Sequence, residues 1–176
     1  MMKRRKIAAI VGLFLLALIG LRLVWIGAQT TSARAEAEDG QLDLRRWDPS
    51  SQPIFSLFGE WEYYPSQLLT PGPDGVFKTE DGPAETITVP GSLRQETGTS
   101  FGFGTYRLRV LLPSGSLPEL TVRVPGFSAS SALYVNGRLL GASGHPAERA
   151  SSYTPSVSSY SATFAADRDV LDIVLQ

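Results

Sequence analysis

Two segments in the middle of the chain alternate strictly between apolar and polar side chains. The first covers residues 105–110, with Arg107 and Arg109 at polar positions, and the second covers residues 120–124, with Arg123 at one of them. Successive side chains of a strand point to opposite faces of a sheet, so this period of two predicts strands with one buried and one solvated face. A chain built on such segments must pair them in a sheet and bury the apolar face against a second layer.

A hairpin signal and frequent turn residues extend this pattern to the rest of the chain. Asn136-Gly137 lies between two apolar runs, and both positions tolerate the positive φ that a type I′ turn requires. Residues 170–175 form a further β-type run, and the 17 glycines and 12 prolines supply turns between short strands. We therefore predict an all-β fold over residues 41–176, a β-sandwich or jelly roll of about eight strands.

The N-terminal segment has a different character from the β region. Four basic residues at positions 3–6 precede an uncharged apolar run at 7–21, and Arg22 interrupts it before further apolar residues. We interpret residues 1–29 as a hydrophobic helix and residues 30–40 as a polar linker. The basic cluster predicts that the N-terminus stays in the cytoplasm.

Two interpretations of this helix remain open. An uncleaved anchor needs about 20 apolar residues, and residues 7–28 supply that length if Arg22 reaches the outer interface. A cleaved signal peptide needs a small-residue site, and Ala33-Arg34-Ala35 and Ala35-Glu36-Ala37 are candidates. Since both sites are distant from the apolar run, we favour the anchor, which predicts a single span in the cell membrane with the β domain on its outer side.

Charge and cysteine content exclude several classes of function. The first thirty residues carry five basic side chains and no acidic one, so the remainder, which holds all 17 acidic residues, is net negative. An acidic domain lacks the clustered Lys and Arg that nucleic-acid binding needs. The chain has no cysteine, which rules out disulfides and thiolate metal ligands. We predict no nucleic-acid partner, no cofactor and no metal site.

Four motifs in the β region occur in an order that resembles a known fold family. In chain order they are Gly59-Glu60-Trp61-Glu62-Tyr63-Tyr64, Val89-Pro90-Gly91-Ser92, Gly102-Phe103-Gly104-Thr105-Tyr106-Arg107-Leu108 and Leu133-Tyr134-Val135-Asn136-Gly137. This order resembles the galactose-binding-like jelly roll that lies outside the membrane in bacterial seven-transmembrane receptors with diverse intracellular signalling modules. The resemblance covers roughly residues 55–176.

The resemblance implies an extracytoplasmic ligand-sensing module of a membrane signalling protein, a sensor histidine kinase of a two-component system. Its ligand would be a small molecule, such as a carbohydrate, and binding would act by population shift. The membrane and a second copy, joined through the parent receptor, would be its partners. The chain would then be a C-terminally truncated fragment of a longer protein.

The same motif order is similar to the N-terminal sugar-binding domain of β-galactosidase and β-glucuronidase enzymes. This second resemblance implies an alternative function, a sugar-binding domain of an exported glycoside hydrolase. Position 93 is Leu, whereas the Val-Pro-Gly-Ser stretch often leads into Trp, so an aromatic pocket wall at this position is in doubt. A third alternative is a structural adhesion or assembly domain.

Five side chains are candidates for ligand contact, and each has a structural alternative. Trp61 can stack on a flat ligand, but aromatic residues in strands mostly pack in cores, so we expect it to share an inward face with Tyr63. Arg94, Arg107 and Tyr153 are candidates for polar contacts, with plain surface exposure as the alternative.

His145 is the only histidine of the chain, and it lies in a loop. A solvated loop position is its alternative, because the sequence fixes no partner for it. Function is expected in the loops, which include the serine-rich residues 128–131 and 143–161.

The sequence contains no recognisable catalytic constellation. Glu60 and Glu62 share a strand face, where paired carboxylates can support acid–base chemistry. They flank Trp61, however, and fit the solvent-exposed face of an edge strand. Ser143 and His145 lack the third group that would make them a nucleophile and its base. We therefore predict that the chain is not an enzyme.

Overall fold

The computed structural model describes residues 2–29, 35–78, 84–92, 94, 98, 102–115, 117–127 and 129–176. Several positions discussed above lie outside these residues: Leu93, Ser128 and residues 30–34 of the predicted linker, which include Ala33-Arg34 of one candidate cleavage site. The chain divides into two compact units, Met1–Arg34 and Ala35–Gln176. The β unit thus begins at Ala35, before the predicted domain start at residue 41.

The first unit contains one helix, α1 (Met2–Gln29). In the part of the chain that the structure describes, no helix combines the length and hydropathy that a bilayer crossing requires. The predicted anchor, and with it the location as a single-span protein of the cell membrane, is therefore wrong. The physical reason is Arg22, which ends the uncharged run after 15 residues, or about 22 Å of helix, whereas the hydrocarbon core is about 30 Å thick.

The second unit contains nine strands among its described residues. They are β1 (Gln41–Asp43), β2 (Gly59–Pro65), β3 (Glu85–Val89), β4 (Gly104–Leu111), β5 (Leu120–Val124), β6 (Ser131–Val135), β7 (Arg138–Ser143), β8 (Tyr160–Phe164) and β9 (Val170–Leu175). Seven of them form the main sheet, in the order β3-β2-β4-β9-β6-β7 with β1 beside β4, and β5 pairs with β8 in a second sheet. This confirms the predicted class, an all-β sandwich preceded by one N-terminal helix.

The main core lies on the inner face of the large sheet. β4 shows how the sequence produces it, because Leu108 and Val110 are buried while Arg109 between them is exposed. Apolar side chains of β5 and β8 and of residues 44–58 pack against the same core. Burial of one side chain in two along each strand stabilises the layered arrangement, at roughly 25 cal/mol per Å² of apolar surface.

A second, smaller apolar cluster lies on the outer face of the same sheet. Its buried members include Tyr64, Leu69, Phe77 and Val174. Phe77 also packs edge-on against Tyr134, with ring centroids 5.6 Å apart. Tyr64 lies on the strand face opposite Trp61 and Tyr63, and it is nevertheless buried because Leu69 and Phe77 cover it.

The hairpin between β6 and β7 turns at Asn136-Gly137, as predicted. Both residues have positive φ, 49° and 78°, which is the combination that a type I′ turn needs. The turn packs so closely on a neighbouring loop that a Cβ at Gly137 would come within 2.5 Å of the Gly75 Cα. Backbone contact between two glycines thus fixes the hairpin against the segment that covers the outer cluster.

Candidate functional site

Arg107 lies on the outer face of the main sheet in a closed polar network. Its Nε and Nη2 donate to the two carboxylate oxygens of Asp172 at 2.8 and 2.9 Å. The Tyr64 hydroxyl donates to Glu62 Oε2 at 2.9 Å, and Arg107 Nη1 lies 4.0 Å from the same oxygen. An incoming ligand carboxylate would therefore have to displace Asp172 from Arg107.

The network is tied to the hairpin through Asn136. The Asn136 Oδ1 accepts the Asp172 N–H at 2.9 Å, and the Asn136 N–H donates to the Asp172 carbonyl at 2.9 Å. The hydrogen bond to Asp172 raises the pKa of Arg107, so the guanidinium stays charged. Burial, and then the hydrogen bond to Glu62, raises the pKa of Tyr64. These contacts join three strands and a turn, which is a structural role.

Trp61 lies in the main core, and this confirms the core alternative for it. The side chain is 6% exposed, and its indole N–H donates to the Leu57 carbonyl at 3.0 Å. Tyr63 shares the inward face and contacts Tyr106 with ring centroids 4.8 Å apart. Burial raises the pKa of Tyr106 to about 12. Trp61 and Tyr63 are therefore too buried to stack on a ligand, and Tyr106 is partly buried against the same core.

Arg94 is exposed, and its carbonyl oxygen accepts the Gly98 N–H at 3.0 Å. Its neighbours at 93 and 95–97 lie outside the described residues, so its role in ligand contact stays a prediction.

An open concavity near the start of the β unit is lined by Glu36, Glu38, Asp39, Gln41 and Asp43. Hydrogen bonds from Arg45 hold the pKa of Asp43 at about 2, so this carboxylate is ionised and already paired. The lining carries no aromatic side chain and offers no stacking surface. Across the described ranges, no group of His, Asp or Glu is placed to hold a metal ion.

His145 and Tyr153 are brought together by the connection between β7 and β8, residues 144–159, here called the long loop. His145 and Thr154 exchange backbone hydrogen bonds, with N···O distances of 2.9 and 3.1 Å. Tyr153 directly precedes this bridge and is exposed, as is His145. The long loop is therefore held by backbone hydrogen bonds, and it carries two of the five candidate side chains. Trp61 lies in the core, and Arg107 lies on the outer face of the main sheet.

The connection between β5 and β6, residues 125–130, lies against the long loop. A Cβ at Gly126 would contact the Val157 carbonyl oxygen, and a Cβ at Gly144 would come within 2.9 Å of the Ser130 Cβ. Such close approach leaves no room for side chains at the two glycines. The two connections therefore form one surface at this end of the sandwich.

Three large apolar side chains are exposed on these two connections. They are Phe127 at 41%, Tyr153 at 39% and Val157 at 70% exposure, and we call them the loop surface. The sequence points to Tyr153 but not to Phe127. A usable signal for Phe127 is its place after Pro125-Gly126, outside any alternating segment, where an aromatic ring has no inward face to occupy.

No protein-family model and no curated protein matches this sequence. Solved structures do resemble the chain. The β-glucuronidase of Faecalibacterium prausnitzii is 18% identical with a TM-score of 0.45, and the match covers 69% of this chain and 20% of that chain. The β-glucuronidase of Bifidobacterium dentium, complexed with coumarin-3-O-glucuronide, is 17% identical with a TM-score of 0.44, covering 68% and 19%.

A GH2 β-galacturonidase from Eisenbergiella tayi, bound to glycerol, is 12% identical with a TM-score of 0.42, covering 66% of this chain and 17% of that chain. The chain thus spans between 17% and 20% of the length of these three proteins. At this level of identity the likeness concerns the β fold alone.

The prediction of a transmembrane helix for a two-component sensor is wrong, because no helix in the described ranges can span a membrane. Nothing in the described structure supports the histidine kinase output that was predicted with it. The four motifs mark strands and turns of a sandwich, so they carry no information about a membrane span. The N-terminal helix alone favoured the receptor, and its uncharged run is too short for a span.

Proposed function

We propose that the chain is a non-catalytic, sugar-binding β-sandwich module of an exported glycoside hydrolase of the β-galactosidase or β-glucuronidase type. The observation that carries the proposal is the placement of the four motifs of the sequence. Although they are far apart along the chain, they all lie in the main sheet. The first three belong to the adjacent strands β3, β2 and β4, and the fourth belongs to β6, which β9 separates from β4.

The pairing of the motifs is specific. Gly59 at the start of β2 pairs with Val89 at the end of β3, and Tyr64 pairs with Thr105 in β4. β9 then joins β4 to the hairpin that turns at Asn136-Gly137. Three motifs pair directly and the fourth is linked to them through β9, so their common order supports a common module with the glycosidase sugar-binding domains.

The backbone at Gly59 gives the first motif a physical basis. Its φ is 116°, and a Cβ there would contact the backbone of Ala37. Only glycine tolerates both conditions, so the Gly-x-Trp sequence at this point serves the architecture. The motif therefore supports the domain type and assigns no chemistry to Trp61.

The carboxylates of the sheet support a non-catalytic role. A retaining glycosidase needs two free carboxyl groups about 5 Å apart, one as acid and one as nucleophile. Asp172 is held by two hydrogen bonds from Arg107, and Glu62 accepts the Tyr64 hydroxyl. Groups engaged in this way are not available to a substrate, and hydrolysis is assigned to parts of the longer protein.

The proposal is tested with the longer protein that contains this chain. We expect it to hydrolyse at least one of the 4-nitrophenyl β-galactoside, β-glucuronide and β-galacturonide, whereas the 176-residue chain hydrolyses none. Asp172→Asn in the longer protein, assayed where it stays folded, should keep its kcat because Asp172 is structural. No hydrolysis of any of the three substrates by the longer protein would sink the proposal and favour an assembly domain.

A further inference from the structure

The loop surface places two partly exposed rings, Phe127 and Tyr153, on adjoining connections. Phe58 is also exposed, at 44%, but it lies in another segment of the chain, just before β2. Trp61, Tyr63 and Tyr64 all lie in cores, while Phe127 and Tyr153 each keep about two fifths of their surface in water. Exposed rings at two positions on adjoining connections are uncommon without a binding role, because their burial would stabilise the fold. The loop surface therefore offers a ligand two rings on adjoining connections, whereas Phe58 offers one.

The backbone beneath these rings is held in place. His145 and Thr154 are bridged by two backbone hydrogen bonds, and the Ser143 hydroxyl donates to Ser156 Oγ at 2.8 Å. Gly126 lies directly against the Val157 carbonyl. A surface fixed before binding loses little conformational entropy when a ligand arrives.

The polar groups around the rings are mainly hydroxyls. Exposed positions of the long loop include Ser151, Ser152, Thr154, Ser158 and Ser159. The loop carries one acid, Glu148, and one base, Arg149, whose formal charges cancel. A phosphate or a nucleic acid needs clustered cations, which this loop lacks. A neutral sugar instead presents an apolar C–H face for a ring and a rim of hydroxyls for hydrogen bonds, and it fits both features.

We propose that the loop surface binds neutral pyranosides, with Phe127 and Tyr153 stacking on the apolar face of the sugar and loop hydroxyls bonding its rim. This inference rests on the proposed function, since it locates the sugar contact of that module. It concerns binding alone and requires no hydrolysis. It assigns a role to Tyr153 that the sequence predicts and to Phe127 that it does not.

The test is affinity electrophoresis of the 176-residue chain in native gels that contain a soluble β-1,4-galactan or a neutral β-linked xylan, with a polysaccharide-free gel as reference. We expect retardation in at least one polysaccharide. Phe127→Ala and Tyr153→Ala should each weaken binding about tenfold, the loss of one ring contact. Ile54→Ala and Leu139→Ala remove more exposed apolar side chains, at 81% and 57%, from other parts of the domain and should bind like the unaltered chain.

Two results of the electrophoresis would overturn the inference. One is the absence of retardation in both polysaccharides, and the other is retardation that Phe127→Ala and Tyr153→Ala leave unchanged. Hydrogen exchange tests whether a neighbouring domain covers the loop surface instead of a sugar. Protection of residues 125–130 and 144–159 that occurs only in the longer protein would assign the surface to such a domain and overturn the inference. The hydrolysis assay of the longer protein with chromogenic glycosides does not depend on these binding results. The inference can therefore fail while the proposed function holds.

Discussion

Removal of Asp172 decides whether Arg107 is a structural cation or a free ligand group. Asp172→Ala would leave a guanidinium with a side chain that is 14% exposed and with its contacts to Tyr64 and, at 4.0 Å, to Glu62. Each of the two lost bonds, at 2.8 and 2.9 Å, is charge-assisted and contributes about 1.5–3 kcal/mol. Since water can partly solvate the freed cation, we expect a destabilisation of about 2–4 kcal/mol.

The assay is urea unfolding in a double-mutant cycle of Asp172→Ala, Arg107→Met and the double variant. The double variant should lose less than the sum of the two single variants, with a coupling of about 1.5 kcal/mol or more, because it leaves no unpaired buried charge. Arg45 and Asp43 are the matched control, a shorter pair at 2.6 Å whose side chains are 65% and 50% exposed. Solvent screening should make their coupling indistinguishable from zero. Equal coupling in the two pairs would refute the structural role of Arg107.

Three further outcomes are expected. Gly137→Ala should cost about 2–3 kcal/mol in urea unfolding, because its Cβ would press on a neighbouring backbone, whereas Gly98→Ala has nearly the same φ and open space and should cost about 1 kcal/mol. The raised pKa of Tyr106, about 12, gives stability that is complete below pH 10 and lost as pH rises towards 12, so Tyr106→Phe should flatten that decline. If the helix is a signal peptide, mass spectrometry should find cleavage after Ala35, because cleavage after Ala37 would remove a buried residue.

The strands could be predicted from the sequence because burial of one face imprints a local period of two. The alternating segments at 105–110 and 120–124 correspond to β4 and β5, and the hairpin turn falls at Asn136-Gly137. Each of these signals is contained in a few consecutive residues. The pairing partners carry no comparable local signal, so the order of the strands in the sheet was not predictable.

Packing on the outer face of the sheet could not be predicted, since it depends on distant residues. Tyr64 is covered by Leu69 and Phe77, which belong to a segment rich in turn residues that looks solvated in the sequence. Asp172 is a charged residue within an otherwise apolar strand. This indicates that its carboxylate has a partner of opposite charge, but the sequence does not show that the partner is Arg107. A charge in such a strand is a reason to search for an opposite charge on a neighbouring strand.

Only part of the loop surface could be predicted from the sequence. Serine-rich loops and Tyr153 indicate the correct end of the sandwich, but the contact of Gly126 with the long loop, which brings Phe127 to the same place, is tertiary. Arg94 stays a prediction, because its surroundings lie outside the described residues.

The position of β9 has a consequence for the order of assembly. It is the last strand along the chain, yet it lies between β4 and β6, and the described strands make no direct pairing between those two. A nascent chain emerging from the ribosome can form the β2–β4 group and the β6–β7 hairpin, but these two pieces stay separate until residues 170–175 emerge. Until then both pieces carry open sheet edges, so chaperones have access to these edges until residues 170–175 have emerged.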